Sequence, residues 1–181
     1  MTQDIKICAW NINGVKDKFD ISYSLQFLNS FDIVFFSEIK TSTNISIPGF
    51  YVCAQKSESH THGGVALLAK HDIAKLVRIE NATNNMISFR ISICTNIIFI
   101  GTYIEPSDSR YFDQTVFGTL QGALFSCNDN KVLFGDMNAH ISEPVNYNGK
   151  NISQIINDQN MIVTNNVSLS EDYFTFRRKK Q

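Results

Sequence analysis

Four short stretches of the chain carry side chains able to hold a metal ion or an anion. Trp10-Asn11-Ile12-Asn13-Gly14 supplies two amides and a glycine. Ser37-Glu38-Ile39-Lys40 supplies a carboxylate and a cation two residues apart, which share a face if the preceding strand runs on through them. Gly101-Thr102-Tyr103-Ile104 supplies a phenol, and Gly135-Asp136-Met137-Asn138-Ala139-His140 a carboxylate, an amide and an imidazole at alternate positions. Separated carboxylates with amides form a hard, oxygen-rich donor set that suits magnesium or manganese rather than zinc. Each stretch also has an ordinary reading. Glu38 could be a solvated residue or a helix cap, Gly135-Asp136 a turn and Tyr103 a core aromatic, with Asn11 and Asn13 closing turn hydrogen bonds. Taken together and in this order, they point to metal and phosphate chemistry.

The apolar pattern shows which elements must position these groups. Residues 4–11 alternate, with Ile5, Ile7 and Ala9 on one face and Lys6, Cys8 and Trp10 on the other, so a strand leads into the first amides. Ile21, Leu25 and Leu28 fall at helical spacing. Residues 32–38 form a short apolar run ending in a carboxylate, as in a buried strand. Residues 49–54 and 63–69 read as two strands around a polar loop at 55–62. Ile87, Phe89, Ile91 and Ile93 alternate, and a turn at Thr95-Asn96 leads into residues 97–104, which predicts a hairpin. Residues 111–125 place Phe112, Val116, Leu120 and Ala123 near helical spacing. Residues 131–134 are a buried strand, 152–160 a short helix, and Tyr173-Phe174-Thr175-Phe176 a last strand. No repeat or linker interrupts the pattern. A single α/β domain over residues 1–181 is expected, sheet packed on sheet with helices outside. The candidate residues all close strands, where a rigid backbone can aim a side chain.

Composition bounds the answer further. The 181 residues are 43% hydrophobic, which excludes a disordered tail, and three Pro with nine Gly exclude collagen-like or low-complexity sequence. Sixteen basic and seventeen acidic side chains leave a charge of -1, so any phosphate contact is local. Met1-Thr2-Gln3-Asp4 shows no signal-peptide pattern, and apolar stretches such as 65–69 and 97–100 are too short to span a bilayer. The expected location is intracellular, nuclear or cytoplasmic, with no membrane partner. Cys8, Cys53, Cys94 and Cys127 are scattered and read as buried free thiols. The N-x-S/T triplets at Asn44, Asn81, Asn151 and Asn166 are what so asparagine-rich a chain yields by chance.

The four stretches, together with Ser37-Glu38-Ile39-Lys40-Thr41 and Gly63-Gly64-Val65-Ala66, resemble the ordered motifs of the endonuclease/exonuclease/phosphatase superfamily, from about Ile5 to Phe176. More narrowly, the segment from Tyr103 through Glu105-Pro106-Ser107-Asp108-Ser109 to Tyr111-Phe112 resembles the apurinic-like endonucleases of non-LTR retrotransposons. So does Asn13, where cellular repair enzymes tend to carry an acid. The resemblance implies a four-layer α/β/β/α sandwich lacking its last strands, Mg2+ dependence with Mn2+ as the alternative, and DNA as the partner. It implies phosphodiester hydrolysis by DNA nicking, which leaves a 3′ hydroxyl to prime reverse transcription. Glu38 resembles the principal metal-binding carboxylate and Asn11 the amide that supports it. Asp136 resembles the residue that orients the attacking water, also near the metal, and Asn138 the amide that holds the phosphate. Tyr103 resembles the hydroxyl that hydrogen-bonds the scissile phosphate. Lys40, with Asn13, is placed to bind the substrate backbone; the other reading of Lys40 is an exposed surface lysine.

Departures from the family pattern set further expectations. The usual closing Ser-x-x-Asp strand and Asp-His pair have no counterpart before Gln181. The resemblance therefore implies a domain incomplete at its C-terminus and severely impaired in turnover, either a fragment of a longer reading frame fused to a reverse transcriptase or a decayed copy. His140 lies in the Asp136 motif and does not replace the absent histidine; His60, His62 and His71 read as surface residues. Glu105 stands where proline is usual and Met137 where an aromatic or leucine is common. Two rival readings stay open. One keeps the fold but acts on an inositol phosphate, a phospholipid head group or RNA. The other is a noncatalytic remnant binding nucleic acid through Arg177 to Lys180, a cluster read first as a solvated terminus.

Overall fold

Alternation within the strands decides the architecture. The computed structural model describes residues 4–16, 18, 22–93, 96–126, 129–142 and 144–164. In chain order these form β1 (Ile7–Asn11), α1 (Ser22–Asn29), β2 (Ile33–Ser37), β3 (Phe50–Lys56), β4 (Val65–Lys70) and α2 (His71–Ala74). They continue with β5 (Val77–Ala82), β6 (Met86–Ile91), β7 (Ile97–Tyr103), α3 (Thr115–Phe125), β8 (Asn130–Asp136) and α4 (Tyr147–Asp158). One sheet runs β1-β2-β4-β3 and the other β5-β6-β7-β8.

Both faces of the central strands are apolar, so each sheet needs cover on two sides. Val34 and Phe36 of β2, with Ala66 and Leu68 of β4, pack outward against Leu25 and Leu28 of α1 and against Ile45 and Ile47. Their neighbours Ile33, Phe35, Val65, Leu67 and Ala69 turn inward and meet Ile87, Phe89 and Ile91 of β6. On the far side of the second sheet, Ile98 and Ile100 pack against Leu120 and Leu124 of α3 and Ile152 and Ile155 of α4. The result is four layers, helix, sheet, sheet, helix, as the sequence leads one to expect. The sheets approach closely at Gly101, where a Cβ would lie 2.5 Å from the Phe35 ring. Only glycine lets that ring rest on the β7 backbone.

Several elements differ from the sequence expectation. β5 was not anticipated, because Val77-Arg78-Ile79-Glu80-Asn81-Ala82 carries three polar residues and a bulge between Ile79 and Asn81 breaks its alternation. It is an edge strand, and Glu80 pairs there with Arg78 at 3.4 Å and with Arg90 at 3.3 Å. α2 is a single turn, too short to show a period. α3 begins at Thr115 rather than Tyr111, since Asp113 accepts from the Thr115 backbone N–H at 2.9 Å and turns the chain there. α4 starts five residues before the expected Ile152. Ile21, Cys94, Thr95, Cys127, Asn166, the strand at Tyr173 to Phe176 and the cluster Arg177 to Lys180 lie outside the described residues. Cys8 and Cys53 are free thiols, half-buried. Among the described residues, no helix is long and apolar enough to cross a membrane.

Candidate functional site

Two parallel strand pairs create the site. β1 pairs with β2 in parallel, Asn11 opposite Ser37, and β7 pairs with β8 in parallel, Tyr103 opposite Asp136. Parallel strands end on the same side of a sheet. The two pairs also pack on each other across the sandwich, with the Phe35 and Phe134 rings 5.7 Å apart edge to face. Four strand ends therefore share one rim, bringing together Asn11, Glu38, Tyr103 and Asp136 from both sheets.

One amide ties the two sheets' carboxylates together. Asn11 Nδ2 donates to Glu38 Oε1 and to Asp136 Oδ2, each at 2.7 Å. Its Oδ1 accepts from the Asn13 backbone N–H at 3.1 Å. The other Glu38 oxygen, Oε2, lies 2.8 Å from Lys40 Nζ, which also donates to Asn13 Oδ1. Lys40 is thus drawn into the site rather than left on the surface. Burial pushes the Glu38 carboxyl up, but hydrogen bonds from Lys40 and Asn11, the Lys40 charge and Tyr103 together hold it below the usual carboxylate range.

Glu38 and Lys40 meet in a way alternation did not foresee. The strand does not continue: β2 stops at Ser37, and Glu38 and Lys40 both take left-handed backbone, φ 53° and 50°. The Ile39 and Lys40 N–H groups donate instead to the Gly64 and Gly63 carbonyls at 3.2 and 3.1 Å. Among the described residues, the other non-glycine positions with positive φ are Asn13, Asn138 and Asn160. Two of those three belong to the same site. A non-glycine residue in this region costs about 1–2 kcal/mol, more for glutamate and lysine than for asparagine. The strain collects where the side chains are needed.

The second half of the site is pinned through backbone and amides. Gly135 has φ +126°, and a Cβ there would lie 2.0 Å from the Thr102 carbonyl oxygen, so the residue before Asp136 has to be glycine. The Asn138 backbone N–H donates to Asp136 Oδ1 at 3.2 Å, and Asn138 Nδ2 donates to the Ile104 carbonyl at 2.9 Å. Tyr103 is buried, and its hydroxyl donates to Glu105 Oε2 at 2.9 Å. Burial, then the charges of Glu38 and Glu105, push the phenol far up, so it stays a protonated donor.

Reading the sequence missed three amides and one acid that hold this arrangement. Asn148 is fully buried on α4 and donates to the Glu105 carbonyl at 2.9 Å and the Met137 carbonyl at 3.1 Å. Asn146 caps α4, accepting from Gly149 N at 2.7 Å, and donates to the Asn138 carbonyl at 2.8 Å. Asn85 donates to the Tyr103 carbonyl at 3.3 Å. Glu105 was noted only as a departure from proline. A signal was available for Asn146, a helix-capping residue type just before Tyr147; none existed for Asn148 or Asn85. The histidines sit apart from the four strand ends. His140 is exposed, His60 bonds Ser42 Oγ at 2.8 Å, and His71 opens α2. His62 is half-buried and stacks on Tyr111 at 3.6 Å, so it is a packing residue rather than the surface residue expected.

The donor set suits a hard divalent cation. Two carboxylates from different sheets converge on one amide, with a single lysine as counter-charge. Among the described residues, no three His, Cys, Asp or Glu side chains gather as a metal-holding group. A two-carboxylate site whose remaining positions are left to water oxygens fits a hard divalent cation rather than a soft one.

A two-sheet α/β sandwich with acids and amides on one rim is the design of a class of phosphoester hydrolases. The chain belongs to the endonuclease/exonuclease/phosphatase family, whose model matches residues 8–178. Members of this family are nucleases and phosphatases, which makes phosphate-ester hydrolysis its chemistry. Among similar solved structures is the 3′ phosphatase NExo from Neisseria bound to product DNA hairpin. It is 17% identical over 85% of this chain and 71% of that one, with a TM-score of 0.61. An AP endonuclease from Archaeoglobus fulgidus is 20% identical over 85% and 70% of the two chains, with a TM-score of 0.60. At such identities the likeness is one of fold. Among curated proteins, none matches in sequence.

Proposed function

We propose that this chain is a magnesium-dependent endonuclease domain that nicks DNA, of the type encoded by non-LTR retrotransposons. The observation that carries the metal-dependent hydrolase reading is the Asn11 amide holding Glu38 and Asp136 together across the two sheets. The narrower reading rests on the Tyr103 to Phe112 segment and on Asn13, an amide that joins Lys40 where repair enzymes tend to carry an acid.

In this reading Glu38 and Asp136 supply the donor oxygens for the metal, and Asn11 sets their separation. A divalent cation held there would supply positive charge against the negative charge building on the phosphate and the leaving oxygen. Asp136, fixed by Asn11 and by the Asn138 N–H, orients the attacking water and accepts its proton. Tyr103, kept protonated, is the hydroxyl that contacts the scissile phosphate, with the Asn138 side chain beside it. Lys40 supplies positive charge to the substrate backbone, and its bond to Asn13 aims it. Hydrolysis at the 3′ side leaves a 3′ hydroxyl that a reverse transcriptase can extend.

The test is conversion of supercoiled plasmid to open circle by the purified protein. Nicking with Mg2+ that stops in chelator supports the reading. Folded protein that leaves the plasmid supercoiled in both Mg2+ and Mn2+ overturns it.

A further inference from the structure

Glu105 stands one residue beyond two backbone anchors and points its acid at the site. Its own carbonyl accepts from buried Asn148 at 2.9 Å. The preceding Ile104 is bonded on both sides, its N–H to the Asp136 carbonyl at 3.0 Å and its carbonyl to Asn138 Nδ2 at 2.9 Å. With the backbone held, Oε2 accepts the hydrogen bond of the Tyr103 hydroxyl at 2.9 Å, and Oε1 lies 3.6 Å from the position of a Cβ on Gly63. Gly63 in turn receives the Lys40 N–H at 3.1 Å. The Glu105 carboxylate therefore borders the same ground as Tyr103 and the Glu38–Lys40 pair.

Two consequences follow from elementary chemistry. A phenol has one proton, and while Glu105 holds it a phosphate has to compete for it. Glu105 also adds a second negative charge around the Tyr103 hydroxyl, alongside that of Glu38, and Lys40 is already paired with Glu38. An internal phosphodiester carries one negative charge, whereas a terminal phosphate monoester carries about 1.5 to 2 at neutral pH. The extra charge of the monoester meets the extra acid.

We propose that Glu105 determines specificity, holding the Tyr103 hydroxyl and biasing the site toward internal phosphodiesters and against terminal phosphate monoesters. This rests on the phosphate-ester reading above and narrows its substrate class. Glu105 acts through Tyr103 and through its charge, without bonding to the reacting atoms. Because it is partly exposed, screening limits the effect to roughly ten-fold.

The experiment compares kcat/KM, in Mg2+, for an intact duplex oligonucleotide and for the same duplex carrying a nick with a 3′ phosphate. It uses the wild type, Glu105→Gln and Glu105→Asp, with circular dichroism confirming that each is folded. The inference expects Glu105→Gln to raise the monoester-to-diester ratio about ten-fold. Glu105→Asp, which keeps the charge, stays within about three-fold of wild type. Wild type that cleaves the diester, with a ratio unchanged in Glu105→Gln, overturns the inference alone. Wild type that cleaves neither substrate overturns the phosphate-ester reading and this inference with it.

Discussion

Replacing Asn148 tests whether one buried amide holds the two loops of the candidate site in register. Asn148 is 0% exposed, donates two hydrogen bonds through Nδ2, and leaves Oδ1 without a partner. In Asn148→Ala the Glu105 and Met137 carbonyls lose their donor, at about 1 kcal/mol each. The small void adds about 1 kcal/mol, while removing the unpartnered Oδ1 returns about 1 kcal/mol. The expected net loss is about 2 kcal/mol. With a urea m-value of about 2 kcal/mol/M, the midpoint falls by about 1 M at unchanged m. Asn148→Asp is the sharper control, because it keeps the size but turns an acceptor toward both carbonyls and buries a charge, so it should cost more than alanine. An Asn148→Ala midpoint within about 0.25 M of wild type, or an aspartate variant as stable as wild type, would refute the reasoning.

Three further outcomes follow from the same structure. Gly135→Ala should cost about 3 kcal/mol or more by urea denaturation, since its Cβ would sit 2.0 Å from the Thr102 carbonyl oxygen at a left-handed φ; a loss below 1 kcal/mol would contradict the geometry. Glu38 and Asp32 both have carboxyls held low in the folded state, Asp32 against its burial by the Lys6 N–H and Lys70. Their contribution is present above the unfolded carboxylate values and is lost as pH falls from about 4 through the lowered folded values. The urea midpoint should hold from pH 7 to 5 and drop below pH 4, less steeply in Asp32→Asn. Burial pushes the Cys53 thiol up to about 11, so at pH 8 mass spectrometry should find it unmodified by iodoacetamide in folded protein and modified after unfolding.

How much of this was legible in the sequence depended on whether the signal was local. Alternation in β1 and β6, and the short apolar runs of β2 and β4 bounded by polar residues, gave the strands directly, because both patterns are local. The strand-end residues were visible as types that a buried strand does not otherwise carry at its tip. Their convergence was a different matter, since nothing in the spacing of Asn11 and Asp136 says that they meet across 125 residues. That contact is set by two parallel pairs packed on each other. Glu38 and Lys40 were grouped correctly for the wrong reason, because paired left-handed residues, not a continuing strand, bring them together. β5 was hidden by charges that pair only after folding. Asn85, Asn146 and Asn148 were hidden because an asparagine that pins distant carbonyls looks, in sequence, like one that sits in a turn.

The central claim is that acids from the two sheets, joined by one amide, perform the hydrolysis. The most direct measurement is the rate of supercoiled-plasmid nicking in Mg2+ by wild type, Asp136→Ala and Asn11→Ala, each confirmed folded by its thermal transition. The account predicts Mg2+-dependent nicking by the wild type, however slow, a loss in Asp136→Ala of about 100-fold or down to the detection limit, as expected for a general acid–base group, and an intermediate loss in Asn11→Ala. Nicking that persists unchanged in Asp136→Ala would contradict it.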